Sequence, residues 1–234
     1  PRSMLDVRFP LVGFRSGMAA SPSIGNRQSP IGDGLTLDDT AEASTTHLVI
    51  IDRSGNIVCA TQSLGNHFGS AVVAPGTGVL LNNSMNNLGY AAKASPNFVA
   101  PGKMPRSTMC PTIVLKQDKP WLVVGAPGGQ RIPTTVLQIL LDTIDFARPL
   151  EESITARRFH LRRPTSRSEP GNHIDLENGF STAVAEDLES RGWKAEVRKP
   201  GEFYFGAVNA AVFNADGTIT GVADQRRTGS AGGD

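Results

Sequence analysis

The sequence has almost no cysteine. Only Cys59 and Cys110 occur in 234 residues, which excludes a disulfide framework and any zinc-ligand spacing. Each reads as a small core residue, the usual fate of a free thiol. Neither sign of charge dominates. Lys and Arg number 23 against 22 Asp and Glu, interspersed, so neither a nucleic-acid surface nor an acidic tail is indicated. No apolar run approaches the roughly 18 residues of a membrane span. The longest candidate, "VLQILLDTIDFA", is too short and carries acids. Position 1 is proline, with neither an initiator methionine nor a signal-peptide pattern, as expected of a cut, processed or incomplete product. The compartment (periplasmic, extracellular or cytoplasmic) stays open.

What is present is glycine (25) and proline (16), so turns should be many. A chain of this length with 39% hydrophobic residues suits one domain with a sizeable core, or one domain plus a tail. Residues 1–44 are rich in Gly, Ser and Pro without a sustained period, and read as a loop, mobile tail or pro-segment. The domain proper is expected over 45–234. "HLVIID" and "NIVCATQS" flank "DRSGN" as a β-hairpin. Leu48 to Ile51 are all apolar, which predicts a strand covered on both faces. "GVLLNNSM" is a further strand candidate, and "MCPTIVLKQDKPWLVVGAPGG" a second hairpin turning at "QDKP". "IPTTVLQILLDTIDFA" predicts a helix with Pro133 in its first turn and a stripe of Val136, Leu137, Leu140, Leu141 and Ile144. "PLEESITARRF" predicts a shorter helix. Ser181 is a candidate cap for "TAVAEDLESR", which Gly192 ends. "AEVRK", "AAVFN" and "ITGVAD" supply the last strands, with "NADG" as a turn. Apolar strands and amphipathic helices in this order suit two stacked sheets with helices outside.

Three features carry chemistry. The first is Thr45, in "TTHLVIID". A hydroxyl is a poor nucleophile without a base in reach. A free α-amine, with a pKa of about 7.7–8.0, is such a base. A break between Ser44 and Thr45 would place nucleophile and base in one residue. β-propensity alone also explains a threonine at a strand start. Alternation puts His47 on the face of Thr45, as a base or as a hydrogen-bonded core histidine. The second feature is "GAPGGQR", whose glycine pair suits backbone N–H donors for an oxyanion, or simply a tight strand-to-helix turn. It lacks the Lys-Ser/Thr of a phosphate loop. The third is "PRSTMCPT", where Ser107 and Thr108 offer adjacent hydroxyls to a carboxylate, or cap a turn.

"TTH", "DRSGNIV", "FGSAVVAPGTGVLLNN", "PGKMPRSTMCPTIV", "GAPGGQRI", "VLQILLDTIDF" and "ARRFH" occur in one order. In that order they resemble the small subunit of γ-glutamyltranspeptidase (γ-glutamyltransferase, glutathione hydrolase), over almost everything after residue 44. The resemblance implies an α+β fold, the four-layer αββα sandwich of the N-terminal nucleophile (Ntn) hydrolases. It implies self-cleavage before Thr45, with Thr45 as nucleophile and Ser63, in place of the family's usual Thr, as the assisting hydroxyl. Gly128 and Gly129 would form the oxyanion hole, and Ser107 and Thr108 would hold the substrate carboxylate. It implies no metal or organic cofactor, a small-molecule γ-glutamyl amide as substrate, and a large subunit of the same precursor as partner. Further positions depart from the family. Gly65 stands where Asn is usual, Ser84 where Gln or Glu is, Asn86 where Asp is, and Asn87 where an acid pairs with the substrate ammonium. Loss of that acid leaves open an acylase for dicarboxylic monoamides of glutaryl-β-lactam or oxamate type. A fragment that only pairs with a partner subunit is the non-enzymatic alternative.

Overall fold

Alternating apolar residues and two tight turns set the frame of the molecule. The computed structural model describes residues 6–8, 44–90, 93–162, 171–199 and 203–233. Strands β2 (Ser44–Ile51) and β3 (Ile57–Gly65) pair antiparallel. Their turn closes on the Asp52 carboxylate, which accepts from the Ser54 and Asn56 N–H groups at 2.9 and 2.8 Å. Strands β4 (Thr112–Lys116) and β5 (Lys119–Gly125) form the second expected hairpin. Gln117 and Asp118 both take positive φ there (53° and 59°), as the mirror-image hairpin turns require.

Strand β1 (Asp6–Arg8) adds to β4, and β9 (Asn209–Phe213) and β10 (Ile219–Ala223) add to β5. The result is a five-stranded antiparallel sheet in the order β1-β4-β5-β9-β10. One face receives α1 (Ile132–Ile144) and α2 (Leu150–Thr155), burying Val114, Leu122, Val124, Ile139, Ile154 and Val208 in the main core. The β2–β3 hairpin lies against β5 and β9. It is tied there by Asn209 Nδ2, which donates to the His47 carbonyl at 2.8 Å. Helix, sheet and hairpin are three successive layers of the expected α+β sandwich. A smaller sheet of β6 (Phe159–Arg162), β7 (His173–Leu176) and β8 (Lys194–Val197) carries α3 (Thr182–Ser190) as the crossover between parallel β7 and β8. Among the described residues no helix is long and apolar enough to cross a membrane.

Several expectations are corrected. "GVLLNNSM" forms no strand: Leu80 makes a lone bridge to Val73, and Ser84–Asn87 is a 3₁₀ turn. The apolar run of β2 is not covered on both sides: Ile50 and its cross-strand partner Val58 are 57% and 52% exposed. In α1 the sheet selects another stripe. Ile132, Val136 and Ile139 are buried, while Leu137 and Leu141 face out. The helix has apolar residues enough for two stripes, and periodicity cannot rank them. Ser181 stands at the α3 N-terminus, yet its side chain makes no capping bond. Within residues 1–44, Asp6–Arg8 and Ser44 lie in strands; the loop or tail reading otherwise falls outside the described residues. Both thiols are half-buried rather than fully in the core, and burial pushes the Cys59 and Cys110 pKa values up to about 11.

Candidate active site

The site begins at an irregularity. Ser44 pairs with Gly65 and Thr45 with Ser63, so the register shifts by one between Ser44 and Thr45 and leaves Leu64 without a partner. The peptide bond expected to break therefore sits in a β-bulge. Ser63 Oγ lies 2.9 Å from Thr45 Oγ1 and donates to the Ser44 carbonyl at 3.3 Å. A serine has one proton to give, so Thr45 is the donor in the bond between the two hydroxyls. Ser63 Oγ also accepts the Gly65 N–H at 2.9 Å, which fixes its rotamer. One hydroxyl thus contacts both Thr45 Oγ1 and the carbonyl that precedes Thr45. A cleft of ≈ 550 Å³ opens beside them, lined by Thr46, Gln62, His67 and Arg227 as well.

His47 is on the Thr45 face, as the alternation requires, but it is a core group. It is 3% exposed, with Nδ1 2.7 Å from Thr61 Oγ1. Burial lowers its pKa to about 4, so the ring is neutral. Its ring lies over Gly125, where an added Cβ would meet ring carbon at 2.2 Å. That contact places the start of β2 beside the end of β5.

From Gly125 the chain runs into the glycine pair. Gly128 has φ of 143° and Gly129 of 59°. An added Cβ on Gly128 would sit 2.9 Å from Gly206 Cα, so two backbones meet there without side chains between them. Thr108 Oγ1 donates to the Gly129 carbonyl at 2.8 Å, joining the hydroxyl pair to the glycine turn. Ser107 Oγ accepts the Met109 N–H at 3.1 Å.

Gly65 (φ 84°) leaves room for Asn83, whose Oδ1 would be 1.8 Å from a Cβ at position 65. Asn83 Oδ1 accepts the Asn66 N–H at 3.0 Å, and the Asn83 N–H donates to the Leu64 carbonyl at 2.9 Å. These bonds tie Asn83, the residue before the Ser84–Asn87 turn, to the end of β3. The structure thus groups Thr45 with Ser63, places Gly65 against Asn83, and groups Thr108 with Gly129. Ser84, Asn87, Ser107, Thr108, Gly128 and Gly129 do not line the cleft beside Thr45. Among the described residues no group of three or more His, Cys, Asp or Glu is placed to hold a metal ion.

These contacts coincide with a sequence match. A model of the family described as gamma-glutamyltranspeptidase matches residues 17–233. The chain belongs to the γ-glutamyltranspeptidase family. It is 36% identical to the glutathione hydrolase proenzyme of Escherichia coli over 193 residues, covering 78% of this chain and 31% of that one. It is 37% identical to the acylase ACY 1 proenzyme of a Pseudomonas species over 189 residues, covering 80% and 32%. The chain spans about a third of the length of these curated relatives. Among solved structures, γ-glutamyltranspeptidase from Pseudomonas nitroreducens complexed with L-DON superposes with a TM-score of 0.69 at 30% identity, covering 81% of this chain and 99% of that one. The Ntn-hydrolase α+β fold is that of these γ-glutamyltranspeptidases.

Sequence reasoning passed over the supports of the glycine turn. Arg158 is 1% exposed and pairs with Asp224 at 2.7 Å. It donates to the carbonyls of Phe205 and Gly206 at 3.2 and 3.3 Å. Arg131 Nε donates to the Tyr204 carbonyl and Thr135 Oγ1 to that of Phe205, at 3.0 and 3.1 Å. Burial raises the pKa of Asp224, but the Arg158 guanidinium and the Arg226 and Val208 N–H groups outweigh it and hold the carboxyl below its usual range. "ARRFH" was legible as a motif; that its second arginine is a core residue was not.

Proposed function

We propose that this chain is the nucleophile-bearing part of an N-terminal-threonine amidohydrolase or acyltransferase that cleaves γ-glutamyl amides. The supporting observation is the Thr45–Ser63–Ser44 arrangement: a hydroxyl at 2.9 Å from the nucleophile that also donates to the carbonyl preceding it. The uncut chain breaks at Ser44–Thr45. Thr45 then attacks the side-chain amide carbonyl, and its own α-amine takes the proton. Backbone N–H groups of Gly128 and Gly129 receive the oxyanion. Ser107 and Thr108 hold the substrate carboxylate, and the Ser84–Asn87 turn faces its amino end. Water or an amine acceptor releases the acyl group. A larger segment of the same precursor covers the open apolar face at Ile50 and Val58.

A second reading, an acylase for glutaryl-type amides, is favoured by Asn87. An amide offers no charge to a substrate ammonium, which then stays poorly compensated when desolvated. The likeness to the Pseudomonas acylase points the same way. One experiment tests both. Wild type, Thr45→Ala and Asn87→Asp are compared by intact mass and by kcat/KM on γ-glutamyl and glutaryl anilides, which differ only in the amine. Thr45→Ala should remain uncut and inactive; cleavage or turnover in it removes the nucleophile assignment. Asn87→Asp should move the ratio toward the γ-glutamyl anilide by up to about 3 kcal/mol. A wild type that favours the glutaryl anilide selects the acylase reading, and a strong γ-glutamyl preference rejects it.

A further inference from the structure

Residues 204–207 lie behind the glycine turn and hold it at both ends. At its start, the Ala207 N–H donates to the Pro127 carbonyl oxygen at 3.3 Å, and a Cβ on Gly206 would meet that oxygen at 2.4 Å. At its end, the Arg131 N–H donates to the Gly128 carbonyl at 3.1 Å. The Arg131 side chain then reaches back. Its Nε donates to the Tyr204 carbonyl at 3.0 Å, and its guanidinium carbon lies 4.3 Å from the Tyr204 ring centre. Arg131 and Tyr204 are both buried.

Tyr204 carries this hold into the small sheet. Its hydroxyl donates to Asp175 Oδ2 at 2.5 Å, and Asp175, on β7, is fully buried. Arg162 and Arg198 pair with Asp175 Oδ1 at 2.5 and 2.9 Å. Burial opposes the charge on Asp175, but the bonds from Arg162 and Tyr204 and the Arg198 guanidinium outweigh it and keep the carboxyl below its usual range. The Arg198 guanidinium also lies 4.2 Å from the Tyr204 ring centre. A phenol that donates to a carboxylate gains electron density, and its ring attracts a guanidinium more strongly. The Asp175 charge is thus felt at Arg131 through the ring. Neither Asp175, Tyr204 nor Arg131 lines the cleft beside Thr45.

We propose that Asp175, Tyr204 and Arg131 are positioning residues that hold the Gly128 and Gly129 N–H groups in place for the oxyanion, so that the β6–β8 sheet serves the active site through one phenol. This rests on the oxyanion role given to the glycine pair above. Displaced donors leave substrate binding alone and weaken the transition state, where the negative charge first appears. The loss falls on acylation and not on KM.

The test uses the enzyme as processed from its precursor. Single-turnover acylation of the anilide at saturating enzyme reads the rate constant of folded sites and not their number. Tyr204→Phe keeps the ring and loses only the bond to Asp175. It should acylate about tenfold more slowly with KM unchanged. Arg131→Lys keeps the charge and loses the planar fork that spans the Tyr204 ring and carbonyl. It should be at least as slow, and adding Tyr204→Phe to it should slow acylation no further. Wild-type acylation in Tyr204→Phe overturns the proposal. So does a raised KM at an unchanged rate, which would make Tyr204 a packing group, and so do effects that multiply in the double variant. Gly128→Val in parallel separates the two levels. If it acylates like wild type, the oxyanion reading falls and the proposal with it; if it is slow beside an unimpaired Tyr204→Phe, the proposal alone falls.

Discussion

His47 sits two residues from Thr45 with its Nδ1 on Thr61 and its ring on Gly125. Its pKa, lowered by burial to about 4 from 6.5, ties stability to pH. Between those values the unfolded chain binds a proton that the folded chain refuses. The contribution of this ring is full above pH 6.5, falls as pH drops toward 4, and levels off below. Its size is at most about 3 kcal/mol. Urea denaturation at pH 7.5 and 4.5 should show wild type losing more stability than His47→Gln over that interval. An equal loss in the two would mean that the ring is not held neutral by the fold. Thr45 and Ser63 were legible as residues because a motif and a fixed spacing carried them. His47 was legible only as a choice between base and core, since alternation gives a face and not its surroundings. Gly65 was legible as a departure from the family, but the Asn83 amide that fills its space was not, because 17 intervening residues have no period to place them.

The element that matters most is the turn between β5 and α1. Its strand, its glycines and the first-turn proline of the helix all read directly from the sequence, because each is a local preference. What the turn leans on did not, since Gly206 approaches from a segment far along the chain. Gly128 takes a φ that side chains rarely adopt, and a Cβ there meets backbone rather than a yielding side chain. Gly128→Val should therefore displace the N–H groups and lower acylation by about 10²-fold or more, with the fold retained by circular dichroism. Unchanged single-turnover acylation would reduce the glycine pair to a bend in the chain. Two of the proposed roles meet at this turn. Thr108 bonds to the Gly129 carbonyl, so a carboxylate that claims this hydroxyl must compete with the turn for it.

Across the whole molecule, a buried ionic cluster joins elements distant in sequence. Arg158 and Asp224 pair at 2.7 Å, and Arg226 reaches Glu177 at 2.6 Å and the carbonyls of Ile154 and Ala156 at 2.7 and 2.8 Å. Removing one partner leaves a buried charge uncompensated. Arg158→Met should cost about 3–5 kcal/mol in urea denaturation, and Arg158→Met with Asp224→Leu should recover part of that loss. A single variant as stable as wild type would show that the pair carries no net stabilisation. Layering was legible from periodicity; the order of strands within each sheet and this cluster were not, because pairing partners are set by tertiary contacts and charged residues in a sequence read as surface. The cluster also has a consequence in time. Asp224, Arg226 and Arg227 are synthesised long after Thr45, yet the first two brace the segment behind the glycine turn and the third walls the cleft at the Ser44–Thr45 bond. A chain still emerging from the ribosome has Thr45 but not its surroundings. On the proposed reading, cutting at Ser44–Thr45 then waits for the last residues to arrive, and the fold itself sets the time.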